Sequence, residues 1–111
     1  MIAIFCDPRA CRVTVTGHAG SGPKGQDLVC AAVSALVLTL EEAVKTMARA
    51  GWLTGQTLEI APGKAEIRCT ARQERLPEVQ LAFAVLSAGF QRLARQWPEY
   101  VSLQQLSDLS S

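Results

Sequence analysis

Apolar and polar positions alternate over Met1–Cys6 and again over Cys11–Thr16, and both runs are rich in β-branched residues, the pattern of strands with one buried face. Between them Asp7-Pro8-Arg9-Ala10 places Asp and Pro at the opening positions of a turn, so the two runs predict a β-hairpin. The alternation then stops. Gly17 to Gln26 contains four glycines and a proline, a composition that predicts a mobile loop. From Asp27, a suitable N-cap, helix-forming residues continue to Ala50, and Gly51 supplies a C-terminal stop. The first three turns of this helix are apolar nearly all round, which predicts a deeply buried N-terminal half. Glu41, Glu42, Lys45 and Arg49 mark a more solvated second half.

A second hairpin is predicted from Gln56–Ala61 and Ala65–Thr70 across Pro62-Gly63-Lys64. Pro77 suits the first turn of a second helix, in which Val79, Ala82, Phe83, Leu86, Phe90, Leu93 and Trp97 recur at helical spacing as core residues rather than as a cofactor-binding set. Pro98 ends that helix, and Tyr100-Val101-Ser102-Leu103 suits a short final strand. The order ββαββα, with this extra strand, predicts an α+β fold: an antiparallel or mixed sheet with two main packed helices, as one domain over residues 1–111.

Apolar residues make up 49% of the chain and charged residues 19%, the balance of a compact folded protein rather than of a disordered tail. The formal charge of +1 is spread along the chain with no basic stripe, which argues against direct nucleic-acid binding. Leu28 to Leu40, the longest apolar stretch, is interrupted by Ser34 and Thr39 and falls short of the roughly 20 residues that span a bilayer, so no membrane partner is expected. The opening residues lack the features of an export signal, and a cytoplasmic location is expected. In a reducing compartment Cys6, Cys11, Cys30 and Cys69 remain free thiols. There is no CxxC and only one histidine, so the cysteines do not form a usual zinc pattern; no metal and no cofactor is expected.

Chemistry concentrates in one segment. His18 stands at the exit of the second strand and Cys30 near the start of the first helix, with the glycine-rich loop between them. A free thiol has a pKa near about 8.5 and is only slightly ionised at neutral pH, and an imidazole within reach takes its proton. With Asp27 as N-cap, Cys30 becomes the third helical residue, where free amides and the helix dipole favour a thiolate. The dipole supplies only about 0.3–1 kcal/mol, so strong activation requires pairing with His18 or another positive group. Asp27 acts in two directions, stabilising a protonated His18 while opposing negative charge on sulfur. Ser34, one turn beyond Cys30 on the same helix face, is placed to hydrogen-bond near the sulfur or to a preceding backbone carbonyl. Cys6, Cys11 and Cys69 lie on or beside strands with no histidine nearby in sequence and read as packing residues. The run Gly-Ser-Gly-Pro-Lys-Gly lacks the Gly-Lys-Ser/Thr ending of a phosphate-binding loop.

Gly17-His18-Ala19, Gly25, Asp27-Leu28-Val29-Cys30-Ala31 and Ser34-Ala35 together resemble the signature of the Prp family of ribosomal-processing cysteine proteases. The close match covers about twenty residues, and element order and length agree over most of the rest. The resemblance implies a Cys-His peptidase that removes a short N-terminal extension from a bacterial large-subunit ribosomal protein, acting as a homodimer with a flexible loop over its site. It implies Cys30 as nucleophile and His18 as general base, with Asp27 and Ser34 in support and Gly17 and Gly25 as loop hinges. Two other classes fit the residues alone. A noncatalytic ribosome-associated binding module would leave Cys30 as a buried thiol, and a thiol-redox protein would pair Cys30 with a cysteine such as Cys6 or Cys11.

Overall fold

The computed structural model describes residues 1–17 and 24–109, with the backbone alone at 24–27. Strands β1 (Ile2–Asp7) and β2 (Arg12–Thr16) form the first hairpin, followed by helix α1 (Lys24–Arg49). Strands β3 (Leu53–Ala61) and β4 (Lys64–Ala71) form the second hairpin. A short 3-10 turn at Gln73–Arg75 then leads into helix α2 (Leu76–Gln96) and a final strand β5 (Val101–Gln105). The strands lie in the order β3-β4-β2-β1-β5, antiparallel except that β5 runs parallel to β1. The fold is therefore α+β with a mixed sheet and two main helices.

One face of the sheet carries the core. Ile2, Ile4 and Cys6 of β1, Val13 and Val15 of β2, and Ala65, Ile67 and Cys69 of β4 alternate into it, as a half-buried strand requires. The helices meet this face through Val29, Val33, Val37, Leu40, Val44 and Met47 of α1 and through Val79, Phe83, Leu86 and Phe90 of α2. Cross-strand register lines these residues up: Ile4 opposes Val15, Cys6 opposes Val13, and Val13 in turn opposes Ile67. On the other face Glu66 lies between Arg12 and Arg68, with ion-pair distances of 4.0 and 3.8 Å. No described helix is long and apolar enough to cross a membrane.

Gly51 ends α1 as its composition predicts. Its φ is +79°, the Gly51 amide donates to the Ala48 carbonyl, and the Trp52 amide donates to the Met47 carbonyl, each at 3.0 Å. Those two bonds close a Schellman cap that β-carbon-bearing residues adopt only with strain.

Three boundaries and one burial pattern differ from expectation. Helix α1 starts at Lys24, so Asp27 is not its N-cap and Gly25 lies in its first turn rather than in a loop. Strand β3 starts at Leu53, because the ladder passes the apparent break at Gly55 by a register shift between Leu53 and Gly55. Strand β5 extends to Gln105, since pairing with β1 supplies backbone partners that its own composition does not reveal. Finally, the N-terminal half of α1 is not buried all round: Leu28 and Leu38 are 61% and 51% exposed. A single sheet layer and one neighbouring helix cover only part of its circumference.

Candidate active site

Position along α1 decides which way Cys30 points. The residues nearest the sheet are Val29, Val33 and Val37. Cys30, Ser34 and Leu38 follow one another at spacings of four and so share the adjoining flank. Leu36 lies on the opposite flank, against α2, where a β-carbon at Gly89 would come 3.0 Å from a Leu36 methyl. The thiol is thus turned away from α2 and toward the second hairpin.

A cavity of about 280 Å³ opens on that side. Its inner surface is apolar, made by Ile2, Val15, Val33, Val37 and Ala65, and Cys30 and Ser34 line its helical side. The opposite wall is the β3–β4 turn, Ala61-Pro62-Gly63-Lys64, with Ile60 beside it; Lys64 is the one charged residue among the described lining residues. Turn and strand are held in place by the ladder, in which Thr16 opposes Lys64 and Val15 opposes Ala65.

Gly17 completes the rim, and its identity has a steric reason. Its φ is +95°, and a β-carbon built on it would lie 2.3 Å from the Met1 carbonyl oxygen. Its amide donates a 2.9 Å hydrogen bond to the Gly63 carbonyl. The chain therefore leaves β2 at the cavity edge, tied to the hairpin wall, and the next residue is His18. His18 itself lies outside the described residues, as do the side chains of Asp27 and Gly25's immediate neighbours Lys24 and Gln26. The structure thus brings Gly17, Cys30 and Ser34 to one cavity.

Cys30 differs from the other thiols in setting. It is half-buried and lines the cavity, whereas Cys6, Cys11 and Cys69 are 0%, 2% and 8% exposed. Burial pushes the Cys6 thiol pKa above its ordinary value, against a smaller lowering by Ser87, so Cys6 stays protonated and inert. Cys11 faces Cys69 rather than Cys30, as a disulfide-exchanging partner of Cys30 would not.

The early start of α1 changes the expected source of thiolate stabilisation. Counting from Lys24, Cys30 is the seventh helical residue, so its amide belongs to the i→i−4 ladder rather than to the free donors of the first turn. The macrodipole acts chiefly in that first turn. An ionised Cys30 thus requires a separate proton acceptor. The alternating residues of the hairpin and the helical spacing from Cys30 to Ser34 were legible in sequence. The part played by Pro62-Gly63-Lys64 was not, because no local pattern indicates that a turn will stand opposite a helix distant in the chain.

Comparison with known proteins follows the same geometry. The family model described as cysteine protease Prp matches residues 1–102. Among solved structures, the SMU.848 protein of Streptococcus mutans is 30% identical, over 94% of this chain and 90% of its own, with a TM-score of 0.67. The essential ribosomal processing protease Prp of S. aureus appears in complex with a substrate peptide, at 22% identity, 95% and 99% coverage and a TM-score of 0.69. It also appears with a covalently linked product peptide, at 25% identity, the same coverages and a TM-score of 0.64. Comparison with curated proteins finds no match.

Proposed function

Because the chain belongs to the Prp family of cysteine proteases, we propose that it removes the N-terminal extension of a bacterial large-subunit ribosomal protein, with Cys30 as nucleophile and His18 as its proton partner. The observation that carries this reading is the placement of Cys30: it is the one cysteine outside the buried core, it lines the apolar cavity, and the chain enters His18 from that cavity's rim at Gly17.

In the proposed reaction His18 accepts the thiol proton and the Cys30 sulfur attacks the scissile carbonyl carbon, giving a tetrahedral oxyanion. Collapse breaks the C–N bond, His18 passes its proton to the departing amine, and the extension remains on Cys30 as a thioester. Water, deprotonated by His18, then attacks the thioester carbonyl, and the thiolate leaves. The covalently linked product peptide of the S. aureus protease supports a step of this kind. Ser34 lines the cavity one turn beyond the sulfur and is assigned a supporting role, as is Asp27. Gly17 is assigned to the loop's start, while Gly25 lies in the first turn of α1.

The apolar inner surface selects among substrates. A cavity of about 280 Å³ whose inner surface includes Val33, Val37 and Ala65, with Ile60 beside the opposite wall, has room for one bulky apolar side chain, with the polar groups Ser34 and Lys64 at its helical side and turn. An extension carrying such a residue beside the scissile bond fits the site best. Four free thiols support a reducing, cytoplasmic setting. The exposed apolar residues Leu28 and Leu38 support burial of this helix face in a homodimer. Incubating the protein with the N-terminally extended ribosomal protein and reading the product's new N-terminus by mass spectrometry tests the assignment; a single shortened species is expected, and an intact precursor rejects it.

A further inference from the structure

Away from the cavity, the structure pairs two of the three cysteines that catalysis does not use. Strands β2 and β4 are in register from Thr16 opposite Lys64 at the cavity end to Arg12 opposite Arg68 at the other. One step farther, the Cys69 amide donates a 3.1 Å hydrogen bond to the Cys11 carbonyl, so Cys11 and Cys69 stand opposite each other across the ladder. The Cys11 amide donates instead to the Pro8 carbonyl at 3.2 Å and its φ is +56°, so a single backbone bond holds Cys11 beside Cys69 at the end of the ladder. Opposed residues of an antiparallel pair have Cα atoms about 4.5–5.5 Å apart, inside the range of about 4.4–6.8 Å that a disulfide spans. Both side chains are buried, at 2% and 8% exposure, and the two thiols hydrogen-bond to each other. We propose that Cys11 and Cys69 form a thiol-oxidation site, which a hydroperoxide converts to an intramolecular disulfide bridging β2 and β4.

The chemical division of labour follows from the pair's own contacts. The Cys69 thiol donates to the Cys11 sulfur, which lowers the Cys11 pKa despite opposition from burial and the Asp7 carboxylate, and raises that of Cys69. Cys11 is therefore the attacking sulfur. Its thiolate attacks one oxygen of hydrogen peroxide, the O–O bond breaks, and hydroxide leaves, giving a sulfenic acid on Cys11. The Cys69 sulfur then attacks the Cys11 sulfur. The S–O bond breaks, the oxygen leaves as water with the Cys69 proton, and the proton first lost by Cys11 converts hydroxide to a second water. Two thiols are oxidised to one disulfide, and one peroxide is reduced to two waters. Cys6 opposes Val13 and has no such partner across the ladder.

The test is a mass map of the folded protein titrated with hydrogen peroxide until Cys30 is fully oxidised. The quenched protein is alkylated in denaturant and digested without reductant. A Cys11–Cys69 linked peptide, lighter than its two parts by two hydrogens, found in the monomer band and abolished by dithiothreitol, is the expected result. In Cys69→Ser the link should vanish and dimedone should trap Cys11 as its sulfenic acid. Separate alkylation of Cys11 and Cys69 at that endpoint overturns the proposal, as do links from Cys11 to Cys6 or Cys30, or links between chains. Where Cys69→Ser does not fold, the wild-type map alone decides.

Discussion

The amide of Gly17 donates a 2.9 Å hydrogen bond to the carbonyl of Gly63, joining the exit of β2 to the turn that forms the far wall of the cavity. The chain can make this contact only with its backbone in the left-handed region and with nothing on the α-carbon, since a β-carbon would lie 2.3 Å from the Met1 carbonyl oxygen. Gly17→Ala must therefore strain φ and push one backbone segment away from another. A loss of roughly 2–3 kcal/mol is expected, combining strain and displacement. For a domain of this size that lowers Tm by about 8 °C or more, measurable by thermal denaturation. An unchanged Tm would mean that the strand exit is not held as described.

The four thiols should differ in reactivity. Cys30 is half-buried on a cavity, while Cys6, Cys11 and Cys69 lie in the core at 8% exposure or less. Iodoacetamide at neutral pH, followed by peptide mass mapping, should modify Cys30 at least about ten times faster than any other cysteine of the folded protein. Equal rates for all four, or selective protection of Cys30, would contradict an available nucleophile.

Filling the cavity should change substrate choice. Ala65 is 6% exposed and lines the inner surface, so Ala65→Leu places three more carbons where a substrate side chain is proposed to lie. Overpacking is expected to cost about 1–3 kcal/mol of stability. Cleavage of a precursor with a bulky apolar residue beside the scissile bond should fall by about tenfold or more in kcat/KM, equivalent to about 1.4 kcal/mol, and chiefly through KM. A precursor with alanine there should be affected less. Equal losses for both substrates would place the side-chain site elsewhere.

Close approach of the two helices makes a stability prediction independent of catalysis. A β-carbon at Gly89 would stand 3.0 and 3.2 Å from the two Leu36 methyl carbons. Gly89→Val should destabilise the protein by roughly 1–3 kcal/mol in urea denaturation. Leu36→Ala should recover part of that loss in the double variant, a coupling that additive effects would not give.

Legibility in the sequence followed the range of the interactions involved. The first hairpin, the core stripe Val79–Phe83–Leu86–Phe90 and the stop at Gly51 depend on neighbouring residues, and each was readable from period or turn chemistry. The start of β3 was obscured because Gly55 reads locally as a break, whereas β4 carries the ladder past it. The apolar first half of α1 suggests burial all round, but only the tertiary structure shows that Leu28 and Leu38 are more than half exposed. At the site, the strand-loop-helix placement of His18 and Cys30 was evident as a pattern, and helical spacing aligned Ser34 with Cys30. The hairpin wall and the contact between Gly17 and Met1 arise from segments remote in sequence and had no local signal.

The most direct measurement compares cleavage of an N-terminally extended ribosomal protein by wild type, Cys30→Ala, His18→Ala and the double variant, with mass spectrometry of the product N-terminus and circular dichroism as the folding control. Loss of one sulfur from half-buried Cys30 should cost only about 1–2 kcal/mol, so the variants should remain folded. Because sulfur and imidazole act in one step, each single change should slow cleavage by at least about a thousandfold, and the double variant should be little slower than either. Cleavage at the wild-type rate by a folded Cys30→Ala protein would contradict the assignment of Cys30 as the nucleophile.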